Sequence, residues 1–470
     1  MLTLSVGSLC DVVGGELLAG AETTMVNGLA VDSRAVTPGA AFVAFGGEHA
    51  DGHEYLGAAI EAGARALVVT RDDDAFRELV ATSRRQDVAL VLVDDALAAV
   101  QALAMHHRER LICPVIAITG STGKTTTKDF VRSVLGTRLK VVATEGNRNN
   151  ELGVPLTIME ANAETEVLVI EMAMRGPGQI AGLCDIARPT AGLVTNVGVS
   201  HVEVLGSEEA IASAKGELVR TVPERGRVFL NGDDGWSTVL AEMAEAAVTR
   251  YGVGEACDVR GDEISVDESG NATFTVIAEQ GTASVHLNVP GRHNVYNAVA
   301  AASIGLYLEL SLEDVIAGLE ASSFTKMRME TFASASGVLV INDAYNANPT
   351  SMKAALQTLA EIRSEGKRVA VLGDMAELGS LSELAHFRMG EYVAELGLHA
   401  LVTVGDRARR IAEGAAAAGM PADAIRPCAT ADEASEVLDD LLGEGDVVLV
   451  KASRVMGLER VVDGITQPHV

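Results

Sequence analysis

A glycine-rich segment at residues 117–127 constrains the fold of this chain more than any other feature. Its sequence is Ala-Ile-Thr-Gly-Ser-Thr-Gly-Lys-Thr-Thr-Thr; it follows the apolar run Pro114–Ile118 and precedes the helical pattern of Lys128–Leu135. Strand, glycine turn and helix in this order are typical of a phosphate-binding loop, where backbone N–H groups, the positive helix end and Lys124 face phosphate oxygens. The segment therefore predicts a nucleoside triphosphate site, with an ordinary strand-to-helix turn as the alternative.

The spacing of the loop differs from that of the common phosphate-binding motif. Two residues separate Gly120 from Gly123, where the common motif has four, and Ile118 stands at the position of the first glycine. Thr125 offers a hydroxyl of the kind that binds Mg²⁺ in such loops. We therefore expect Mg²⁺ beside the nucleotide.

The composition excludes several classes of function. The 470 residues suggest about three domains, and 48% hydrophobic with 22% charged residues is a globular composition. The net charge of −28 argues against nucleic acid and anionic membranes as partners. The five cysteines include no Cys-x-x-Cys pair, which favours reduced thiols in a cytoplasmic protein and offers no zinc site.

The sequence also lacks the usual signals for export or membrane insertion. The N-terminus has no basic region followed by an apolar core, so we expect no signal peptide. No run approaches the ~20 apolar residues that span a bilayer. We expect a cytoplasmic protein without stable membrane insertion.

Residues 1–110 predict a small N-terminal α/β domain. Apolar runs and helical stretches alternate in it, at Ala40–Phe45, Leu56–Ala64, Ala66–Thr70, Ala89–Val93 and Ala96–Arg108. Asp32, Ser33 and Arg34 follow another apolar run, and such groups suit a phosphorylated ligand. Turn formation is the alternative interpretation of this cluster.

Residues 111–318 predict a central domain with a parallel sheet. Its apolar runs end in polar residues: the phosphate loop after Val115–Ile118, Glu171 after Val167–Ile170, Thr195-Asn196 after Gly192–Val194, and Asn231-Gly232-Asp233 after Arg227–Leu230. Because parallel sheets bind ligands beyond the carboxyl ends of their strands, these residues predict a site along one sheet edge. The alternating pattern of Asp258–Val289 predicts antiparallel strands attached to this domain.

Residues 319–470 predict a C-terminal domain with an open, doubly wound α/β sheet. Its apolar runs also end in polar residues: Asn342-Asp343 after Val338–Ile341, Gly373-Asp374 after Val369–Leu372, Gly405-Asp406 after Leu401–Val404, and Lys451-Ala452-Ser453-Arg454 after Val447–Val450. This part has no phosphate loop of its own. A nucleotide domain between two others suggests substrates drawn from separate domains and closure around them.

Three further residues are candidates for metal binding or catalysis. Glu171, at a strand end, suits a magnesium-associated carboxylate, with a solvated strand-end carboxylate as the alternative. His201 follows the next strand and suits a metal or a phosphate, although a hydrogen-bonded loop histidine would look the same. Lys215 lies in the helical stretch Glu208–Val219, where a lysine pointing to water is the default expectation.

Three more polar residues are candidates for binding the nucleotide. Asn294 and Asn297 stand at the start of the helical stretch Asn294–Leu308, where amides suit a base edge and helix capping is the alternative. Arg328 falls between the central and C-terminal domains. From there a cation would meet phosphates when the domains close.

Together these segments resemble the Mur ligase family, the ATP-dependent amide-forming enzymes of peptidoglycan synthesis. The resemblance covers nearly the whole chain, and the family has the same shortened glycine spacing. The segments that carry it are Gly120–Thr126, Glu171-Met172, Thr195–His201, Ala214–Glu217, His293–Asn297 and Arg328–Glu330.

Within that family, other segments are similar to the members that add D-alanyl-D-alanine to UDP-N-acetylmuramoyl-tripeptide. These segments are Asp32–Arg34, Gly146–Pro155, Asn342–Pro349, Leu372–Gly379 and Val450–Arg454. The members that add a diamino acid as third peptide residue usually carry a late Asp-Asn-Pro-Arg motif, which this sequence lacks. The resemblance implies the tripeptide nucleotide and D-alanyl-D-alanine as substrates, and we expect a monomer.

The resemblance also implies a role for each matched residue. Lys124, Lys215, His201 and Arg328 are the implied catalytic residues. ATP is assigned to Gly120, Ser121, Thr122, Gly123, Lys124, Thr125, Thr126, Asn294, Asn297, Arg328 and Asp343. Mg²⁺ is assigned to Thr125, Glu171, His201 and Lys215, the last as N6-carboxylysine, because the family commonly carbamylates this lysine. The uridine nucleotide is assigned to Asp32, Ser33 and Arg34, and its peptide end to Asn150.

Two alternatives remain at this stage. A folyl-polyglutamate-type synthetase shares the domain plan and acyl-phosphate chemistry, but that family normally begins directly with the nucleotide domain. A phosphate-loop NTPase switch, or a catalytically silent nucleotide-sugar-binding subunit, is the second. The combination of Lys124, Thr125, Glu171, His201 and Lys215 disfavours a silent protein.

Overall fold

The computed structural model describes residues 2–47, 50–82, 87–198 and 202–466. The elements that precede the glycine loop are β1 (Thr3–Ser5), α1 (Val6–Val13), β2 (Glu16–Ala19), β3 (Met25–Asn27), β4 (Leu29–Ala30), β5 (Ala41–Val43), α2 (Leu56–Ala62), β6 (Ala66–Val69), α3 (Asp74–Thr82), β7 (Ala89–Leu92) and α4 (Ala96–Arg108). Short 3₁₀ helices add Ser33–Ala35 and Gly52–Tyr55.

The middle of the chain forms the strands and helices around the glycine loop. They are β8 (Val115–Thr119), α5 (Lys124–Gly136), β9 (Val141–Ala143), α6 (Gly153–Glu160), β10 (Val167–Glu171), α7 (Gln179–Ala187), β11 (Ala191–Val194), α8 (Val202–Leu205), α9 (Glu208–Thr221), β12 (Arg227–Asn231), α10 (Ser237–Ala241), β13 (Ala247–Gly252), β14 (Val259–Val266), β15 (Asn271–Ala278), β16 (Gly281–Pro290), α11 (Asn294–Tyr307) and α12 (Leu312–Glu320).

The C-terminal part alternates strands and helices. They are β17 (Glu330–Ala333), β18 (Leu339–Asn342), α13 (Pro349–Glu361), β19 (Arg368–Gly373), α14 (Ser382–Glu395), β20 (Ala400–Val404), α15 (Arg409–Ala417), β21 (Ile425–Cys428), α16 (Ala431–Leu441), β22 (Val447–Lys451) and α17 (Glu459–Thr466). Short 3₁₀ helices add Gly379–Leu381, Ala422–Ala424 and Arg454–Met456.

Contacts between Cα atoms divide the chain into two compact units. The first comprises Met1–Ala117, Leu139–Met174 and Gly178–Ala191, and the second comprises Ile118–Arg138, Arg175–Pro177 and Gly192–Val470. The division falls inside β8. The three domains expected from the sequence, with boundaries at 110 and 318, stay a prediction.

The first unit contains a sheet with strand order β2-β7-β6-β5-β4. Strand β2 is antiparallel to β7, and the other neighbours are parallel. Phe42, Leu67 and Leu90 from this sheet pack with Leu56 and Ile60 of α2 into a buried core. In the same unit, β10 and β9 are parallel neighbours.

The second unit contains the strand order β16-β15-β14-β13-β12-β11-β8. Neighbours β12 to β14 are parallel, whereas β14, β15 and β16 are antiparallel. The parallel part follows the alternation of buried strands with helices. In the antiparallel part, buried residues alternate with partly or fully exposed ones along β15 and most of β16.

A separate sheet in the second unit has the strand order β17-β18-β22-β19-β20-β21. Only β17 runs antiparallel to its neighbour among the described strands of this sheet. Apolar residues such as Val340, Val371, Val402 and Val448 fill its core. Because β18, β22 and β19 are neighbours, their carboxyl ends bring Asp343, Lys451 and Asp374 to one sheet edge.

The predicted fold class is confirmed. The protein is an α/β protein with largely parallel sheets, and the antiparallel attachment lies at β14–β16 as expected. The sequence pattern missed several short strands, among them β9, β13, β17 and β21. In the part of the chain that the structure describes, no helix combines the length and apolarity required to cross a membrane.

The crossing of α14 and α15 generates a prediction about stability. A Cβ atom at Gly390 would stand 1.9 Å from the Ile411 carbonyl oxygen, so the two helix backbones approach as closely as they do because this residue has no side chain. We expect Gly390→Ala to destabilise the protein by about 1–3 kcal/mol through overpacking. The thermal unfolding midpoint measures this effect.

The matched control is Gly57→Ala in α2, where an added Cβ would meet no atom within 4 Å. Alanine is the better helix former by up to about 1 kcal/mol, so this variant should unfold at the same or a higher temperature. An unchanged midpoint for Gly390→Ala would contradict the close backbone approach.

Candidate functional site: a nucleotide cavity at the glycine loop

The glycine loop closes against the end of β11 and the start of α11. Gly120 and Gly123 have φ values of +148° and +78°. A Cβ at Gly120 would stand 1.8 Å from the Thr195 hydroxyl oxygen, and one at Gly123 would stand 2.6 Å from Asn297 Oδ1. Both positions therefore require glycine, because a side chain there would clash with Thr195 or Asn297. Gly123 is also required because its backbone is left-handed.

Residues after β11 hold the loop in place. The Thr195 hydroxyl donates to the Thr122 carbonyl at 2.6 Å, and the Thr122 N–H donates to Asn196 Oδ1 at 3.0 Å. Ser121 donates its hydroxyl proton to the Gly198 carbonyl at 2.9 Å. These bonds leave the first turn of α5 as the open end of the loop. Unpaired N–H groups at the start of a helix are an arrangement that commonly binds phosphate.

Lys124 lies over the loop that it follows. Its ammonium donates to the Gly120 carbonyl at 2.7 Å, so the side chain folds back over the glycine loop. Thr125, in the same turn of α5, is only 5% exposed. The predicted phosphate-binding residues are thus brought together by one strand-to-helix turn, and their individual roles stay predictions.

The two candidate asparagines have different surroundings. Asn297 accepts a hydrogen bond from the Thr127 hydroxyl at 3.1 Å and lines the cavity described below. Asn294 is 1% exposed, donates to the Pro290 carbonyl at 2.8 Å and accepts from Asn297 at 2.9 Å. Asn294 therefore orients Asn297 from behind, and it is not among the residues that line the described cavity.

A cavity of about 320 Å³ opens at the loop, within the size range of small-ligand pockets. It lies between the ends of the central strands, α11, the start of α13 and the ends of β18 and β22. Its lining includes Thr122, Gly123, Thr126, Thr195, Asn196, Asn231, Asp233, Asp234, Tyr251, His293, Tyr296, Asn297, Arg328, Met329, Asp343, Thr350, Ser351 and Lys451.

Tyr251 and Asp234 support the segment that holds the loop. Buried Tyr251 donates its hydroxyl proton to the Val194 and Thr195 carbonyls, at 3.0 and 3.2 Å. Burial raises the pKa of this tyrosine well above its usual value, so it remains a donor. Asp234 accepts from the Val197 N–H at 2.8 Å. Polar residues after β12 were noted at sequence level, whereas no sequence signal pointed to Tyr251.

Arg328 enters the cavity from a strained segment. Met327 and Met329, on either side of it, have φ values of +59° and +52°, a left-handed conformation that costs about 1–2 kcal/mol per non-glycine residue. The guanidinium stacks on Tyr345 at 4.0 Å and lies 3.4 Å from the Thr125 hydroxyl. Its buried Nε has no hydrogen-bond partner among the described residues.

Hydrogen bonds hold the strained segment. The Met327 N–H donates to Glu330 at 3.1 Å, and the Met329 N–H donates to Asp343 Oδ1 at 3.2 Å. Just upstream, the Thr325 N–H donates to buried Asp129 of α5 at 2.8 Å. The helix that follows the glycine loop is therefore bonded directly to the segment that carries Arg328.

A buried ion pair lies at the C-terminal sheet edge of the cavity. Lys451 is 1% exposed and donates to the Asp343 carboxylate and, at 2.9 Å, to the Asn346 carbonyl. Burial lowers the pKa of Lys451, and Asp343 opposes that shift. Burial and the charge of Lys451 lower the pKa of His293 to about 4, so this histidine is neutral at pH 7. The sequence offered Lys451 as a strand-end residue and as part of a segment that carries the family resemblance, but gave it no role of its own.

Lys215 is a buried residue, so the default expectation of a lysine pointing to water is wrong. Its exposed fraction is 1%, on the inner face of α9. Burial lowers its pKa well below the usual value, and the nearby charge of Lys124 acts in the same direction. A larger share of the amine is therefore neutral at physiological pH than for an exposed lysine.

Glu171 in the first unit is buried as well, so the alternative of a solvated strand-end carboxylate is wrong. It is 1% exposed, and its Oε1 accepts from Asn149 at 2.7 Å. Its buried Oε2 has no hydrogen-bond partner among the described residues. An unpaired buried carboxylate oxygen is a suitable ligand for a hard cation. His201, another candidate metal ligand, lies outside the described residues.

The candidate substrate residues are also in the first unit. Asp32 accepts from the Arg34 N–H at 2.9 Å and from its guanidinium at 2.6 Å, which lowers the pKa of Asp32 to about 2. Ser33 begins the 3₁₀ helix that Asp32 caps. Asn150 accepts from the Gly153 N–H at 2.9 Å, at the start of α6. These contacts are local, and the predicted roles in substrate binding stay predictions.

Comparisons with known proteins identify the family. Residues 25–108, 118–305 and 327–454 match the catalytic domain of the Mur ligase family, the Mur ligase middle domain and the Mur ligase glutamate ligase domain, respectively. The chain belongs to the Mur ligase family. A Bacillus subtilis relative, UDP-N-acetylmuramoyl-tripeptide–D-alanyl-D-alanine ligase, is 36% identical over 468 residues, which cover 99% of each chain.

Solved structures of Mur ligases agree with this assignment. MurF from Acinetobacter baumannii superposes with a TM-score of 0.88 at 31% identity, covering 100% of both chains. MurF ligase from Thermotoga maritima, solved in complex with ADP, has a TM-score of 0.79 at 28% identity and covers 94% of this chain and 97% of its own. The family resemblance inferred from the sequence motifs is confirmed.

The close packing at Gly123 generates a prediction about nucleotide affinity. Gly123→Ala would force a Cβ against Asn297 and strain the left-handed turn, so we expect ADP to bind at least ~10-fold more weakly, equivalent to about 1.4 kcal/mol. Isothermal titration calorimetry measures the affinity.

The control is Gly136→Ala at the other end of α5, where an added Cβ meets nothing within 4 Å. This variant should bind ADP as the unsubstituted protein does. Equal affinity in the two variants would show that the turn at Gly123 does not hold the nucleotide.

Proposed function

We propose that this protein joins D-alanyl-D-alanine to UDP-N-acetylmuramoyl-tripeptide at the expense of ATP, in the synthesis of peptidoglycan precursors. The observation that carries the proposal is the full-length similarity to a relative of that name, at 36% identity over 99% of both chains. The cavity at the glycine loop supports the proposal, because its size and its polar lining suit a nucleotide. The protein is an enzyme that forms a C–N bond.

The reaction needs ATP because a carboxylate has no usable leaving group. The terminal carboxylate of the tripeptide attacks the γ-phosphorus of ATP, which forms an acyl phosphate and releases ADP. The amine of D-alanyl-D-alanine then attacks the acyl carbon, and the tetrahedral intermediate expels phosphate and loses a proton. The product is the amide, and catalysis consists mainly of positioning and charge neutralisation.

Residues of the second unit suit the phosphoryl-transfer step. Lys124 and the first N–H groups of α5 would hold the β- and γ-phosphates, since both converge on the open end of the loop. Arg328, close to Thr125, would add positive charge there. Asn297 lines the cavity on the side of α11 and would face the base.

Mg²⁺ is the expected metal, and the donor atoms present fit it. In the first unit, Glu171 offers a buried carboxylate oxygen that has no hydrogen-bond partner among the described residues. In the second unit, Thr125 offers a buried hydroxyl. Both are oxygen ligands of the kind that Mg²⁺ prefers, and the ion would neutralise charge on the phosphates.

Lys215 is proposed to carry a carbamate. A neutral amine attacks CO₂ to form N6-carboxylysine, and burial of Lys215 favours the neutral amine. The modification would turn a cation into a carboxylate able to bind a second Mg²⁺. His201 keeps its proposed role as a metal ligand on sequence grounds alone.

The remaining proposals concern substrate binding and location. Asp32, Ser33 and Arg34 would bind the uridine nucleotide, and Asn150 its peptide end. Three domains, at residues 1–110, 111–318 and 319–470, would bring the substrates to ATP, with Asp343 contributed by the third. We propose a cytoplasmic monomer, in keeping with five cysteines that include no Cys-x-x-Cys pair.

A product assay tests the function. The protein is incubated with ATP, Mg²⁺ and UDP-N-acetylmuramoyl-tripeptide, together with D-alanyl-D-alanine, with D-alanine alone or with no amine, and the products are analysed by mass spectrometry. We expect a product with the dipeptide and none without an amine. Addition of a single amino acid would instead favour a folyl-polyglutamate-type or related ligase. Release of phosphate from ATP without either cosubstrate would favour an NTPase switch. Absence of any turnover would favour a catalytically silent subunit.

Substitution of Lys124 gives a sharper prediction in the same assay. Lys124→Met removes the charge over the loop, and we expect kcat/KM for ATP to fall by at least ~100-fold. The control, Lys140→Met, removes an exposed lysine whose side chain is 65% accessible and paired with Glu164. This control should retain the activity of the unsubstituted protein, and a similar loss in both variants would contradict a specific role for Lys124.

The carbamate on Lys215 has its own test. After incubation with ¹³C-bicarbonate at pH 8, carbon-13 NMR should show one carbamate signal that is absent in Lys215→Arg. Because burial lowers the pKa of the amine, the signal should persist to lower pH than carbamates of exposed lysines, and it should vanish as protonation of the amine wins. A spectrum without a Lys215-dependent signal at pH 8 would rule out the modification under these conditions.

A further inference from the structure

A buried lysine at the end of β22 contacts the cavity without belonging to the glycine loop. Lys451 is 1% exposed, and its ammonium donates to the Asp343 carboxylate and to the Asn346 carbonyl. Lysine is among the residues least often buried, and removing two charges from water is costly even when they are paired. Such a pair requires an explanation beyond stability.

Strand pairing does not need this ion pair. Strands β18 and β22 are already aligned by a parallel ladder in which Asn342 is opposite Val450. Well-packed apolar residues commonly replace buried ion pairs at little cost to stability. The contacts of Asp343 beyond the pair therefore indicate what the lysine contributes.

Asp343 has two oxygens with different partners. One accepts from Lys451, and the other accepts from the Met329 N–H at 3.2 Å. Met329 has a left-handed backbone, which a non-glycine residue keeps only where surrounding contacts hold it. The orientation of the Asp343 carboxylate, fixed by Lys451, therefore helps to hold the backbone beside Arg328.

Lys451 also restrains the loop that carries Tyr345, the stacking partner of Arg328. The Asn346 carbonyl that accepts from Lys451 directly follows Tyr345, and the Arg328 guanidinium stacks on the Tyr345 ring at 4.0 Å. One ammonium thus restrains both the backbone next to Arg328 and the loop that carries its stacking partner. The guanidinium itself reaches to 3.4 Å from the Thr125 hydroxyl at the glycine loop.

We propose that Lys451 is a positioning residue for phosphoryl transfer: through Asp343 and Asn346 it fixes Arg328 against the glycine loop. This inference rests on the proposed function, in which Arg328 neutralises charge on the transferred phosphoryl group. Lys451 acts on the reaction through Arg328 and has no separate chemical step. Substitution of Lys451 should therefore remove much of the increase in kcat that Arg328 provides, with little other effect on the reaction.

A double-mutant cycle tests the coupling. Lys451→Met, Arg328→Lys and the double variant are compared for kcat and KM with ATP, UDP-N-acetylmuramoyl-tripeptide and D-alanyl-D-alanine. We expect Lys451→Met to lower kcat ~30-fold while KM for D-alanyl-D-alanine stays within ~2-fold. The double variant should remain within ~3-fold of Arg328→Lys alone, because residues that act as a unit are not additive.

The opposite end of β22, beside its other neighbour β19, supplies a matched control. Lys367, just before β19, contacts Asp446, just before β22, at 3.6 Å. Lys367→Met also removes a lysine from a lysine–aspartate pair, but far along the strands from Arg328. It should leave kcat within ~2-fold of the unsubstituted protein, and its effect should multiply with that of Arg328→Lys.

The outcomes separate this inference from the proposed function. No dipeptide-containing product from the unsubstituted protein would refute the proposed function. If the unsubstituted protein forms that product normally but the effects of Lys451→Met and Arg328→Lys on kcat are independent and multiply, only the positioning role is refuted.

Thermal unfolding is measured for every variant to detect a loss of folding. If Lys451→Met does not fold, the cycle is run with Lys451→Arg, which keeps the charge but has a wider head group. Independent effects in that cycle would equally overturn the inference.

Discussion

The close contact between the glycine loop and its two neighbours is the constraint on which the rest of the site depends. No Cβ fits at Gly120 because of Thr195, or at Gly123 because of Asn297. The loop therefore takes its shape from the end of β11 and the start of α11 as much as from its own sequence. Since Tyr251 in turn donates to the Thr195 carbonyl, the shape of the loop also depends on β13, which carries this tyrosine.

Much of this arrangement could be predicted from the sequence because polar residues stand where apolar runs end. Burial requires apolar side chains along a parallel strand, and the requirement stops at its carboxyl end. The ends after Ile118, Ile170 and Ile341 were located in this way, and each bears residues of the candidate sites. The helix Ala96–Arg108 was predicted with the bounds that the structure has.

The remainder depends on which strands are neighbours, and a single sequence does not contain that information. Asp343 and Lys451 are far apart in the chain and meet because β18 lies beside β22. Lys215 has the same local pattern as a surface lysine, and only tertiary packing buries it. Strand β13 has an irregular pattern of exposure, which hid Tyr251.

The methionines beside Arg328 have a consequence for how the arginine is presented. Glycine would adopt φ values of +59° and +52° without strain, but it would adopt many other values as readily. Methionine disfavours this backbone unless Glu330 and Asp343 accept its N–H groups. The strained backbone on both sides of Arg328 is therefore stable only when the C-terminal sheet has formed and places Glu330 and Asp343 beside it. The position of the cation at the loop thus depends on the folding of that sheet.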